Sequence, residues 1–314
     1  GPAAPLPPPP PPAPAARLCL SPGECYAAIA HHGQLKAGYS TAKLLVSGTI
    51  AGALVSFGFA LCLLVGGNVP ASWFKDAPGL ASLVFGAVGF PFGFTCIVLT
   101  GAELFTSMCA YTTAALFEKK MRPLQALRLL VLSWLSNFVG CALFLGLALA
   151  AGLFDPSSPG GPPRDLYTRA LAHKKAALLP WGVVFARAIL ANALVALAVW
   201  MANAAQDLTG KAVGIWLTIS AFAMFGIEHS IANMFLLPMG VALGEPLTAK
   251  EIVWGNLVPS TLGNWVGGGG VAAGFALSYG TLGKKMHAWW DGMEEKAAAA
   301  ALQCCLRRRP RGQA

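Results

Sequence analysis

Three side chains able to do chemistry stand where ionisable groups are rare. Glu228 and His229 are adjacent in "GIEHSIANMF" (226–235), inside an apolar run from Val213 to Leu243, and Glu103 lies in "TGAELFTS" (100–107), inside another. A charge at the centre of a bilayer is costly and by default functional. An imidazole can lend a passing solute a hydrogen bond or a proton, and a carboxylate can hold a cation or a freed backbone N–H group. Each glutamate closely follows a glycine, Gly101 or Gly226. Their structural reading is therefore that of acceptors for backbone N–H groups in a helix break. His229 is more specific, because Leu104 takes the corresponding place beside Glu103. No GxSG, HExxH or CxxC pattern occurs, and "EHS" alone supports no catalysis. Neither an enzyme nor a cofactor or metal site is expected.

The elements that must position these residues follow from composition. Of 314 residues 56% are hydrophobic and 11% charged, against about 25% charged in soluble domains. The 36 glycines fall largely in apolar runs, where small residues let helices approach closely in a bilayer. The expected fold class is an all-α polytopic membrane protein. Six stretches are long and apolar enough to span, near 43–67, 80–117, 124–153, 178–203, 211–243 and 251–282. The second and fifth exceed one plain span and carry the polar segments, which predicts two helices broken at the midplane. Residues 1–24, rich in Pro and Ala, are expected to be a disordered tail, 25–283 the transport domain, and 284–314 a polar C-terminal tail.

The chain also repeats itself. "IAGALV" (50–55) resembles "LANALV" (190–195), "GAE" (101–103) resembles "GIE" (226–228), and "SNFVG" (136–140) resembles "GNWVG" (263–267). The matches keep their order on spans 1 to 3 and 4 to 6, so the halves 43–153 and 178–282 read as a three-plus-three repeat, inverted because each half holds an odd number of spans. The net charge of +9 sits at span edges and chain ends rather than in a nucleic-acid patch. Lys36, Lys43, Lys119, Lys120, Lys284 and Lys285 fall on one side, which places both termini on the cytoplasm-equivalent face. Arg164, Arg169, Lys174 and Lys175 lie on the other, either as a solvated loop or as an anion-attracting vestibule.

Four motifs in order, "FPFGFTCIVLTGAELFTS" (90–107), "ILANALVALAVWMA" (189–202), "IEHSIANMFLLPMG" (227–240) and "NLVPSTLGNWVGG" (256–268), closely resemble the formate/nitrite transporter family over residues 25–283. The resemblance implies an aquaporin-like six-helix protomer, a homopentamer with one pore per protomer, and small monovalent anions as cargo. Nitrite ranks first, bicarbonate second and formate third. A style close to algal plastid members implies a chloroplast envelope, with the plasma membrane as alternative. By the same resemblance His229 is the pore histidine facing Thr106, and Glu103, Glu228 and Asn192 line or polarise the pore. Constrictions fall on Phe90, Phe94, Leu104, Phe105, Val195 and Phe222. Phe94 stands where many relatives have Leu. Relatives carry a vestibule lysine sixteen positions before the span-4 Asn, which lands on Ala176; a one-residue slip would bring Lys174 or Lys175 into its place. Competing readings are a water channel, for which "NVPA" (68–71) is a broken motif, and a non-transporting sensor or scaffold.

Overall fold

The computed structural model describes residues 17–158 and 161–307. Within them the chain is helical, apart from one isolated backbone bridge between Cys19 and Ala205. Four helical stretches are long and apolar enough to cross a membrane: Thr41–Gly66, Pro78–Thr100, Pro123–Ala150 and Trp181–Ala204. In chain order the elements are α1 (Pro22–Ala37), α2 (Thr41–Gly66), α3 (Ala71–Asp76), α4 (Pro78–Gly86), α5 (Gly89–Thr100), α6 (Phe105–Phe117) and α7 (Pro123–Ala150). There follow α8 (Gly161–His173), a π-helical turn (Lys174–Leu178), α9 (Trp181–Ala204), α10 (Leu208–Met224) and α11 (Ser230–Ala242). A second π-helical segment (Glu251–Leu257) leads into α12 (Val258–Tyr279), and α13 (Thr281–Arg307) follows.

The two expected breaks are present, between α5 and α6 and between α10 and α11. Each turns on a glycine in the left-handed region, Gly101 at φ 70° and Gly226 at φ 61°, where a side chain would be strained. A third interruption, at Ala87–Val88, was not expected. There Gly89 packs so closely on α2 that a methyl group would strike Gly58 and Cys62. The Trp216 indole donates to the freed Ala87 carbonyl at 2.7 Å.

Close packing of small residues builds two matching helix pairs. In α2 against α7, a methyl group on Gly140 would collide with the Thr49 carbonyl; in α9 against α12, one on Gly267 would collide with the Ile189 carbonyl. These are corresponding positions of "SNFVG" and "GNWVG", so the repeat read from short motifs is a repeat of contacts. It also reaches further than the motifs did, because a helix precedes each half: α1 before α2, and α8 before α9. The expected tail of 1–24 overlaps the start of α1, while its residues 1–16 lie outside the described residues. The expected polar tail of 284–314 is helical as far as Arg307, and its last residues likewise lie outside. In α13 the face carrying Met286, Trp289, Trp290 and Met293 is exposed.

Candidate anion pore

The breaks are held by a pair of asparagines that occupy the same place in each half. Asn137 Oδ1 accepts the Phe105 N–H at 2.9 Å, and its Nδ2 donates to the carbonyls of Gly48 at 2.8 Å and Glu103 at 2.9 Å. Asn264 Oδ1 accepts the Ser230 N–H at 2.8 Å, and its Nδ2 donates to the carbonyls of Ala188 at 2.8 Å and Glu228 at 2.9 Å. Interrupting a helix leaves N–H and C=O groups without intrahelical partners; one amide side chain satisfies both edges of each gap and ties it to the neighbouring long helix.

The glutamate carboxylates are thereby free for other work, which corrects the expectation that they accept from freed backbone N–H groups. Each faces a lysine from the helical segment preceding its half. Lys36 of α1 meets Glu103 at 2.6 and 2.7 Å, and Lys175 of the π-helical turn meets Glu228 at 2.7 Å. Both carboxylates are buried, so each pair offsets a desolvation cost that neither charge could bear alone. Around Glu228 the second oxygen also accepts from Asn233 at 2.9 Å and Asn256 at 3.2 Å. Lys36, Asn233 and Asn256 were not singled out from the sequence; the only signal was Lys36 standing ahead of the first half as Lys175 stands ahead of the second. The π-helical turn also accounts for the register of Lys175. It accommodates one extra residue before α9, the slip that the lysine expectation required.

At the break between α10 and α11, His229 is the N-cap of α11. Its Nδ1 accepts the Ala232 N–H at 3.0 Å and its Nε2 stands 3.0 Å from Thr106 Oγ1 on α6. An Nδ1 that accepts from the backbone leaves the neutral ring's proton on Nε2. The imidazole therefore presents a donor on the side where the N-termini of α6 and α11 meet, and two helix dipoles add positive potential there.

Three cavities lie in a row past this donor. The first, about 390 Å³, is lined by Lys174, Lys175, Arg187, Phe90, Phe222 and His229 among others. The second is a chamber of about 20 Å³ bounded by Phe90, Phe94, Leu104, Val195, Phe222 and His229, with Val55 and Ile219. The third, about 190 Å³, is lined by His32, Lys36, Tyr111, Asn203 and Lys211. Their order is fixed by the helices they share: α9 passes them at Arg187, Val195 and Asn203, and α5 at Phe90, Phe94 and Val98. The chamber thus separates two cation-lined cavities, with aromatic and aliphatic side chains on its walls.

Of the expected constriction residues, five line the chamber and one does not. Phe105 is buried and lines none of these cavities, because the amide clamp of Asn137 fixes it as the first residue of α6, with Leu104 taking the chamber wall. Asn192 is also set back from the cavities. Its Nδ2 donates to the carbonyls of Thr106 at 3.1 Å and Asn264 at 2.6 Å, so it braces α6 against α12 behind the threonine. Lys174 and Lys175 both reach the first cavity.

The formate/nitrite transporter family profile matches residues 23–279. The chain is 39% identical over 259 residues to a probable formate transporter of Methanothermobacter thermautotrophicus, covering 79% of this chain and 92% of that one. It is 34% identical over 245 residues to the formate channel BtFdhC of Bacillus thuringiensis, covering 78% and 89%. Among solved structures, an FNT family ion channel superposes with a TM-score of 0.69 at 29% identity, covering 81% of this chain and 96% of that one. A pentameric formate channel with formate bound superposes with a TM-score of 0.64 at 26% identity, covering 74% and 94%. With paired helix breaks, a buried histidine between them and a profile match over most of its length, the chain belongs to the formate/nitrite transporter family, as an integral multi-pass membrane protein of the anion channel and transporter class.

Proposed function

We propose that this protein carries small planar monovalent oxyanions across a bilayer, formate before nitrite and bicarbonate, through one pore in each protomer of a homopentamer with six spans per chain. The observation that carries the reading is the Nε2 donor of His229 on the wall of an apolar chamber that divides two cation-lined cavities. Formate moves ahead of nitrite in the order of cargo because two of the relatives above are named for formate. The homopentamer rests on the likeness to a pentameric channel. Location in a chloroplast envelope, with the plasma membrane as alternative, rests on the resemblance alone.

The physical course is as follows. The anion enters the first cavity under the attraction of its cations and sheds water between Phe90 and Phe222, where an unpaired charge is strongly disfavoured. In the chamber the neutral imidazole offers a hydrogen bond from Nε2, and a proton that accompanies the anion removes the remaining penalty. Donation from Nε2 leaves the Nδ1 cap intact, whereas a standing imidazolium would put a proton on Nδ1 and break the bond to Ala232.

Uptake of formate, nitrite and bicarbonate into proteoliposomes containing only this protein, at several pH values, tests the reading. Formate should enter fastest, and faster at acid pH. Absence of flux for all three would overturn it.

A further inference from the structure

The cations of the first cavity are not equivalent. Lys175 is bound to the fully buried Glu228 at 2.7 Å and to the Ile227 carbonyl at 3.2 Å, so most of its charge is answered from behind. Lys174 is exposed. Arg187, partly buried in the second turn of α9, lines the cavity and makes no hydrogen bond or ion pair among the described residues. No Asp or Glu is among the residues that line this cavity. The potential met by an entering solute is therefore set mainly by Arg187 and Lys174, and the sequence reading, which looked for lysines upstream of span 4, passed over the arginine inside it.

An arginine within an apolar helix is costly unless a partner is supplied. Its guanidinium is planar and permanently charged, and its paired N–H groups match two oxygens of one anion. Formate, nitrite and bicarbonate all present such a pair. Arg187 also precedes Val195 on α9 by eight residues, about 12 Å along the helix, so an anion held there waits outside the chamber rather than at His229.

We propose that Arg187 is the docking residue of the first cavity, holding a planar oxyanion through both of its oxygens before the anion enters the chamber. The inference rests on the anion-transport reading above and adds to it a site and a preference for two-oxygen anions.

The test is concentration-dependent uptake by proteoliposomes of wild-type protein, R187Q and R187K, with formate, nitrite and hydrosulfide, the last having a single acceptor atom. R187Q should raise the half-saturating formate concentration by about tenfold or more. Its maximal rate should change little, since only binding common to waiting and passage is lost. It should also flatten the dependence of uptake on ionic strength. R187K keeps the charge and loses the fork, so half-saturation should rise for formate and nitrite and stay near wild type for hydrosulfide. Wild-type uptake of formate together with unchanged half-saturation and salt dependence in R187Q overturns the docking site alone, and an equal shift of all three anions in R187K overturns the two-oxygen contact. A wild-type protein that carries none of the anions overturns the transport reading and the inference with it.

Discussion

A histidine that caps a helix with one ring nitrogen has only the other to offer a solute, and this decides which substitution is informative. His229→Asn keeps a side chain that caps well and removes the Nε2 donor, so thermal stability should stay near wild type while formate uptake falls and its rise toward acid pH flattens. His229→Ala should in addition lose the cap, at about 1 kcal/mol. Thermal unfolding and uptake measured together on both variants check this, and equal stability losses would contradict the capping role of Nδ1. At this scale the sequence was readable where a residue type was out of place. Glu103, Glu228 and His229 stood out as polar groups in apolar runs; their partners did not. Lys36 and Glu103 are 67 positions apart, and Lys175 and Glu228 53, and no local spacing rule joins residues at such separations. Arg187 was missed for the opposite reason, being a familiar residue type near the start of a span.

Each helix break depends on a single amide side chain, and the two should fail alike. Asn137→Ala leaves the Phe105 N–H and the Gly48 and Glu103 carbonyls unpaired, and Asn264→Ala does the same to Ser230, Ala188 and Glu228. A buried group left unpaired costs about 1–3 kcal/mol, so both variants should unfold at clearly lower temperature. A large loss in one half and none in the other would contradict the equivalence of the breaks. The start of α1 carries a pH prediction of its own. Hydrogen bonds from the Ser21 hydroxyl and N–H, then from Arg17, hold Glu24 down to about 2 from an ordinary 4.5. A depressed carboxylate stabilises the fold above its ordinary range and loses that contribution as pH falls through about 2. Amide exchange in the first turn of α1 should therefore speed up, relative to the neighbouring helices, as pH is lowered from 5 toward 2. Glu24→Gln should show the faster exchange already at neutral pH, and identical profiles for the two proteins would contradict the assignment. Ordered matches of "GAE" with "GIE" and "SNFVG" with "GNWVG" were enough to read the breaks and their pairing. The interruption at Ala87–Val88 was not readable, since it follows from how closely Gly89 approaches α2, nor was the helix ahead of each half, since neither α1 nor α8 is apolar enough to register as a span.

At the scale of the whole molecule, the features combine into one passage. Two glycine-rich helix pairs bring the broken helices together, the asparagines hold the gaps open, and the lysine–glutamate pairs place compensated charge on either side of an apolar waist. Large apolar side chains such as Leu124, Leu147 and Phe225 remain exposed on the outside, as expected of surfaces that meet lipid or another subunit. The alternation of apolar runs, glycines and charge clusters made this architecture legible from the chain alone; the row of cavities was not, because it depends on which faces of α5, α9 and α10 turn inward. The central claim is that anions pass through the chamber beside His229. Val195 is buried on its wall, and the extra volume of a phenylalanine there exceeds the chamber of about 20 Å³. The most direct measurement is formate uptake by proteoliposomes of Val195→Phe, with its assembly size compared with wild type. The account predicts intact assembly with uptake reduced by about tenfold or more, as expected for a closed apolar constriction; intact assembly with wild-type uptake would show that the anion takes another route.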